Sequence, residues 1–395
     1  MYYFINQCRA CGSTNLTPVF DLGVQPLAND FKTAEEDHAG FAPLDVIFCE
    51  DCTLAQLSVV VDPKILYGGD YSYVTSASAT MKRHFKALID DIIAEAGEHK
   101  TLMEVGSNDG ALLQYCLTRG FSHVQGVEPA KNLANISWSR EVPTRNDFFS
   151  SQVASELGRV DVVLARHCFA HMPDWQDFVA ALDHVTHKDS VVCIEVPYVQ
   201  DLLDRVEFDT IYHEHISYIS LKAMFALFAE SNFFIYNVIR YPIHGGAILI
   251  VLRRKEGGKR SHPGLAPYER EAITREHWMK FGSKAKEKAE KVRKLVCGTG
   301  NRPCGYGASA KCTVLMNYCR LDVKDVQFIT DNTPFKLNKF LPGTKIPIVE
   351  ESRLKDADRA IMTAWNYRDE ILEKHKDWRA KGGRWIIPAS EVEVV

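Results

Sequence analysis

The chain has 395 residues, with 47 lysines and arginines against 51 aspartates and glutamates, a formal charge of −4. That length exceeds one ordinary core and predicts two or three domains, while the slightly acidic balance gives no bulk attraction to nucleic acid or to a membrane surface. With no basic and apolar leader pattern and no run of about eighteen apolar residues, a cytoplasmic protein acting on a small molecule is expected. Its oligomeric state is left open.

Of the eleven cysteines, only Cys8, Cys11, Cys49 and Cys52 fall into CxxC pairs. In a reducing compartment this spacing favours a metal over disulfides. Two knuckle turns converge four thiolates tetrahedrally on zinc, and Gly12 in CRACG supplies the unusual backbone angles. The stretch between the pairs is longer than in compact zinc ribbons and forms an excursion of its own. The remaining cysteines, including Cys168, Cys193 and Cys297, read as reduced, buried side chains.

Residues 53–78 are mixed and include the tyrosine-rich YGGDYSYVTS; a helix is then predicted from near Ser78 through HFKALIDDIIAEAGE to a glycine stop. Between Thr101 and Arg254 the runs TLMEVGS, VQGVEP, VDVVLARH, SVVCIEVP and AILIVLRR alternate with helical stretches, the pattern of a parallel sheet covered on both faces. RRKEGGKRSHPGLAP reads as a linker. REHWMKFGSKAKEKAEKVRKLV reads as a charged helix with a solvated face. Strands and helices alternate again through RPCGYG, LMNYC, VQFITD, RAIMTAW and RWIIP. The expectation is an α/β chain with an N-terminal zinc-binding module over 1–75, a Rossmann-like domain over 76–255 and a second Rossmann-like domain over 256–395.

Three constellations can carry chemistry. LMEVGSNDGALL, residues 102–113, runs a strand into Gly106 and Gly110 and then a helix, where backbone amides can approach a ligand. Glu128, followed by Pro129, ends the next strand about twenty residues on, where a carboxylate can accept both ribose hydroxyls. The pattern is not GxGxxG. Glu104, Asn108 and Asp109 make it similar to the first motif of class I S-adenosylmethionine-dependent methyltransferases, with a dinucleotide site as runner-up. Asp147, beside Phe148 in NDFF, is placed to face an adenine amino group. A cofactor-free glycine turn is the bland alternative.

FDTIYHEHISY, residues 208–218, gathers Tyr212, His213, Glu214 and His215. It is not HExxH, so helical zinc ligation does not apply. In an extended segment Tyr212 shares a face with Glu214, and His213 with His215. A histidine there can act as general base, oriented by a carboxylate, or the cluster is a hydrogen-bonded structural corner. In CGYGASAK, residues 304–311, Gly305 and Gly307 form a strand-to-helix turn and Lys311 enters the first helical turn, a cradle for a diphosphate. Asp331 suits a ribose, and Lys336, Trp365 and Asn366 offer charge or base contacts; the alternative is a noncatalytic Rossmann-like lid.

CRACG, DLGVQPLANDF, FCEDCTLAQL, YSYVTS, EVGSNDGALL, GVEPAKN, AHMPD, EVPYVQDLL, EFDTIYHEHISY, HGG, GYGASAK, ITDNTPFK, PGTKIPI and AWNY span nearly the whole chain. Taken in order, they resemble the zinc-containing sugar C-methyltransferase family of deoxysugar biosynthesis. The resemblance implies S-adenosylmethionine as methyl donor, a structural zinc, and a nucleotide-linked 4-keto-sugar methylated on C3. It makes His215 the general base, with His171, Tyr212, Glu214 and Tyr73 around the sugar, and Tyr71 and His244 in substrate contact. Without it, His171 reads equally well as a core histidine capping a strand, and Tyr71 and Tyr73 as packing aromatics. The sequence departs from the family at Ala247, Ile248 and Leu249 where serine, leucine and arginine are usual, at His167 in place of asparagine, and at Cys312 in place of glycine. Two rival readings are a zinc-ribbon RNA methyltransferase and a noncatalytic scaffold binding S-adenosylmethionine or a sugar nucleotide. The acidic charge argues against the first; Glu128 and His215 argue against the second.

Overall fold

The computed structural model describes residues 1–33, 40–68, 71, 73–77, 79–98, 100–257, 265, 271–298 and 300–395. Most of the expected linker, and residues 69, 70 and 72 of the tyrosine-rich stretch, lie outside the described residues. No helix among the described residues is long and apolar enough to cross a membrane.

The N-terminal excursion is a β-hairpin. Leu16–Pro26 pairs antiparallel with Phe41–Cys49, which pairs with Ala55–Leu57. Along Phe41–Cys49 the alternate residues Ala42, Leu44, Val46 and Phe48 are buried, the period-two signature of a sheet with one face on a core. The outer strand of this sheet is Ser217–Tyr218, far away in sequence, which pairs with Ala55–Leu57.

Seven strands form the central sheet, in the order Phe233–Tyr241, Ala247–Arg254, Thr186–Pro197, Val160–Arg166, Thr101–Val105, His123–Val127, Thr144–Arg145. The five from Thr186–Pro197 to Thr144–Arg145 are parallel, as expected of continuous apolar runs buried on both faces. AILIVLRR departs from the expected parallel sheet: Ala247–Arg254 runs antiparallel to both neighbours. The segment 242–246 is far too short for a crossover, so the chain must reverse there. Gly245 and Gly246, with φ of 92° and 128°, make the turn. Thr101–Val105 lies where the strand order reverses, which places a crevice at the carboxyl ends of this strand and of Val160–Arg166.

The C-terminal sheet has the order Ile348–Glu350, Ile329–Asp331, Cys304–Tyr306, Arg359–Met362, Arg384–Pro388, Val392–Val394, parallel except for the last strand. Between the blocks runs the helix Arg275–Cys297. It has the expected charged face, but its other face buries Trp278, Phe281, Ala285, Ala289 and Val292. Even Lys288 is buried, its ammonium donating to the Val206 carbonyl at 3.0 Å. One apolar core joins Phe20 and Val46 of the first block, Phe208 and Ile211 of the second, Trp278 and Phe281 of this helix, and Val314 and Ile386 of the last. Cys193 is buried as expected, Cys168 half-buried; Cys297, at the exposed end of the long helix, is a surface thiol and corrects its reading as a core cysteine.

Candidate active site and zinc centre

The four paired cysteines meet. Their sulfurs all lie within 4.8 Å of one another, with Cys8 to Cys52 at 3.4 Å and Cys11 to Cys49 at 3.6 Å. A tetrahedral zinc with bonds of about 2.3 Å needs sulfur separations of roughly 3.8 Å, so the set fits that ion. The two knuckles are built alike. The Gly12 amide donates to the Cys8 carbonyl and the Thr53 amide to the Cys49 carbonyl, both at 2.9 Å. Gly12 and Thr53 are both left-handed, with φ of 73° and 66°. Arg9, inside the first knuckle, donates to the Ile216 carbonyl at 3.1 Å, so the metal site touches the residue next to His215.

At the carboxyl ends of the central strands lies a cavity of about 540 Å³, within the usual range for small-molecule sites. Gly106, Asn108, Glu128, Pro129 and Phe148 line one part of it. The Glu128 carboxylate accepts from the Asn108 amide at 2.8 Å and the Ala130 amide at 2.9 Å. These bonds fix its rotamer; burial pushes it up to about 7 against them. Gly106 is left-handed, and a Cβ there would stand 2.7 Å from the Cys168 Cβ, so only glycine fits.

Other residues of these motifs serve from behind. Glu104 is fully buried and pairs with Arg166 at 3.1 Å, and Asp109 pairs with Arg140 at 3.0 Å. Gly110 caps its helix, where a Cβ would collide with Ser137. Asp147 is not among the lining residues. Its carboxylate takes the Phe148 amide at 2.9 Å and lies 3.7 Å from Arg145, so the expected placement towards an adenine is not seen.

Tyr71, Tyr73, His171, Tyr212, Glu214, His215 and His244 line the same cavity. The segment around His215 is a turn rather than an extended strand, the His215 amide donating to the Tyr212 carbonyl at 2.8 Å. The alternating pairing expected of it is therefore wrong. Tyr212, Glu214 and His215 face the cavity together, while His213 turns away to the Ala42 and Pro43 carbonyls, each at 3.2 Å. His215 Nδ1 lies 2.8 Å from the Thr210 carbonyl, which can only accept, so Nδ1 carries the proton and Nε2 the lone pair. Nε2 is 2.5 Å from the Tyr212 hydroxyl. Burial, with His171 and Lys311 nearby, holds His215 well below the ordinary histidine range. His171 stacks on its ring at 5.1 Å, and Tyr67 stacks on His171 at 6.1 Å.

Glu214 is held by two groups of the N-terminal block: Asn29 Nδ2 donates to Oε1 at 2.7 Å and the Tyr71 hydroxyl to Oε2 at 3.0 Å. Burial raises its carboxyl to about 7. Asn29 and Tyr67 were not singled out in the sequence. Asn29 is one polar residue in DLGVQPLANDF, and no spacing ties it to Glu214.

From the C-terminal block Lys311, Lys336 and Asn366 reach the cavity. Lys311 is in the first turn of Ala310–Tyr318, whose N-cap Ser309 accepts the Cys312 amide. Gly305 and Gly307 lie behind, packed on Ile329 and Ala364. Asp331 does not line the cavity, since its oxygens take the Ala308 and Thr333 amides at 2.7 and 2.8 Å. Trp365 is turned inward, its indole donating to Asp209 at 2.6 Å.

A central Rossmann-like sheet with a glycine turn and a following acidic residue, joined to a four-cysteine zinc centre, defines an S-adenosylmethionine-dependent methyltransferase with a zinc-binding module. Three family models match in chain order: a zinc binding domain at 8–67, a methyltransferase domain at 78–238 and a C-methyltransferase C-terminal domain at 242–389. The C-methyltransferase NovU of Streptomyces niveus is 33% identical over 409 residues, covering 99% of this chain and 97% of that protein. The chain belongs to the family of this C-methyltransferase and is an S-adenosylmethionine-dependent C-methyltransferase with a zinc-binding module. Among solved structures, geranyl diphosphate C-methyltransferase from Streptomyces coelicolor is 12% identical with a TM-score of 0.35, covering 45% of this chain and 78% of that one. Magnesium protoporphyrin IX methyltransferase from Synechocystis is 10% identical with a TM-score of 0.33, covering 44% and 79%.

Proposed function

We propose that the methyl acceptor is a nucleotide-linked 4-keto-deoxysugar, methylated on C3 through an enolate during synthesis of a branched-chain sugar. The observation that carries this reading is His215: a neutral imidazole with a fixed tautomer, its Nε2 lone pair on a phenol, in the same cavity as Glu128. S-adenosylmethionine supplies an electrophilic methyl group. The residues then divide the work. Glu128 holds the ribose hydroxyls, with Phe148 against the adenine. His215 Nε2 takes the proton from the carbon next to the ketone, with Tyr212 beside it. Donors around the ketone oxygen, His171 and Tyr73 among them, stabilise the charge that moves onto it as the C–H bond breaks. Lys311 and Lys336 take the diphosphate, and Asn366 lies beside them. In this reading the units are divided near residues 75 and 255, with the last one closing the cleft.

Deuterium exchange tests the carbanion step. With a 4-keto-sugar nucleotide and the demethylated cofactor, the unaltered enzyme is expected to wash deuterium into C3, read by NMR. A product carrying its new methyl on oxygen would refute the enolate. The cofactor assignment has its own test: Glu128→Ala is expected to weaken S-adenosylmethionine binding by about 1–3 kcal/mol, the cost of losing a buried hydrogen-bonding partner. Unchanged calorimetric affinity would remove Glu128 from the site.

A further inference from the structure

One polar cluster of the cavity wall takes no part in this reading. Glu195, near the carboxyl end of Thr186–Pro197, is fully buried, and its Oε1 lies 2.7 Å from His84 Nε2 and 2.9 Å from His167 Nε2. Burial alone would raise this carboxyl, but the two imidazoles hold it well below the ordinary range, so it is a carboxylate. His84, in the helix Ala79–Ala96, is buried with its ring against Tyr241. It is an internal partner. His167 differs, because it lines the cavity. Its backbone is left-handed, φ 53°, as is that of His244, φ 52°, and the two rings meet edge to face at 4.8 Å. Residues other than glycine persist in that conformation only where their surroundings over-determine it, and such positions gather at functional sites.

The carboxylate can only accept, so His84 donates its Nε2–H to it. His167 Nε2 lies 2.9 Å from the same oxygen but too far off line to donate a hydrogen bond. It carries the ring proton because a lone pair that close would be repelled by the carboxylate charge, which leaves the His167 Nδ1 lone pair on the part of the ring that Glu195 does not cover. Burial keeps His167 neutral, with Arg166 and His84 adding to it against the pull of Glu195. We propose that His167 recognises the methyl acceptor by accepting a hydrogen bond from one of its hydroxyl groups, and that Glu195 and His84 are positioning residues which fix its tautomer. The proposal rests on the keto-sugar reading above. A neutral imidazole that offers a lone pair selects a hydroxyl over a phosphate or a ketone oxygen, because neither of those has a proton to give. It complements Lys311 and Lys336, which select negative charge, and His215, which takes the proton from carbon.

The test compares the full keto-sugar nucleotide with analogues that each lack one ring hydroxyl. The unaltered enzyme is expected to lose about a hundredfold or more in kcat/KM with one of them, since a buried site atom is then left unpaired. His167→Phe is expected to lose a similar factor on the full acceptor and to treat that analogue and the full acceptor alike. His167→Asn, whose amide oxygen still accepts, recovers part of the loss, and its calorimetric affinity for S-adenosylmethionine is unchanged. Unaltered enzyme that uses every analogue as well as the full acceptor overturns the proposal, as does a phenylalanine variant that keeps the preference. If that variant fails to fold, the analogue series and the asparagine variant decide. No turnover by the unaltered enzyme on any keto-sugar nucleotide would overturn the acceptor reading itself, and this proposal with it.

Discussion

His215→Asn is expected to lower methylation by about a hundredfold to ten-thousandfold, the range that follows loss of a general base. Its S-adenosylmethionine affinity should stay intact, because Glu128 and Gly106 make no hydrogen bond to the turn that holds His215. Asparagine can keep a bond to the Thr210 carbonyl but offers no basic lone pair at the Tyr212 hydroxyl. A second reading comes from pH. Burial, His171 and Lys311 hold His215 well below the ordinary histidine range, so the free base persists into acid and is lost only as pH falls through that lowered value. The acid limb of kcat/KM should therefore lie below the range of an exposed histidine. An asparagine variant that still exchanges the C3 proton at the normal rate would move the base elsewhere, with His171 and Tyr73 next in line.

Cys49→Ser is expected to abolish both the metal and the activity, although no zinc ligand lines the cavity. The purified chain should hold about one zinc on four thiolates, a closed structural site. Zinc binding in small metal-dependent folds contributes on the order of 10 kcal/mol or more, comparable with the whole stability of a domain, so its loss cannot stay local. Cys8, Cys49 and Cys52 share an apolar core with Phe169 and Trp175. Arg9 reaches the Ile216 carbonyl, and Asn29 and Tyr71 hold Glu214. We expect a fall in melting temperature of roughly 10 °C or more, together with lost methylation. A folded variant that retains its metal would show that the four-cysteine assignment is wrong.

What could be read from the sequence follows from how local each signal is. The paired cysteines and the central parallel strands carry their pattern within a few residues, as spacing or as continuous apolar runs. The strands Leu16–Pro26 and Phe233–Tyr241 were not legible, because their alternation is interrupted by register shifts. Around His215 the sequence names residues that line the cavity but not their arrangement: a turn places Tyr212, Glu214 and His215 on one face, where a strand would have split them. Asp147, Asp331 and Trp365 stand in suggestive motifs but are engaged by local amides or a buried carboxylate. Nothing in the spacing links Asn29 to Glu214 or His84 to Glu195 and His167; only the tertiary fold brings them together.

The strand Ser217–Tyr218 bears on how the chain is born. On the ribosome the knuckles at Cys8 to Cys52 emerge early, yet the strand Ala55–Leu57 keeps an unpaired edge until residues beyond Tyr218 have left the exit tunnel. Such an edge is a template for pairing with a neighbouring nascent chain. When Ser217 and Tyr218 arrive they cover it, and the turn that carries His215 is drawn into place by the same pairing. Completion of the first sheet and placement of the turn that carries His215 thus depend on the same pairing.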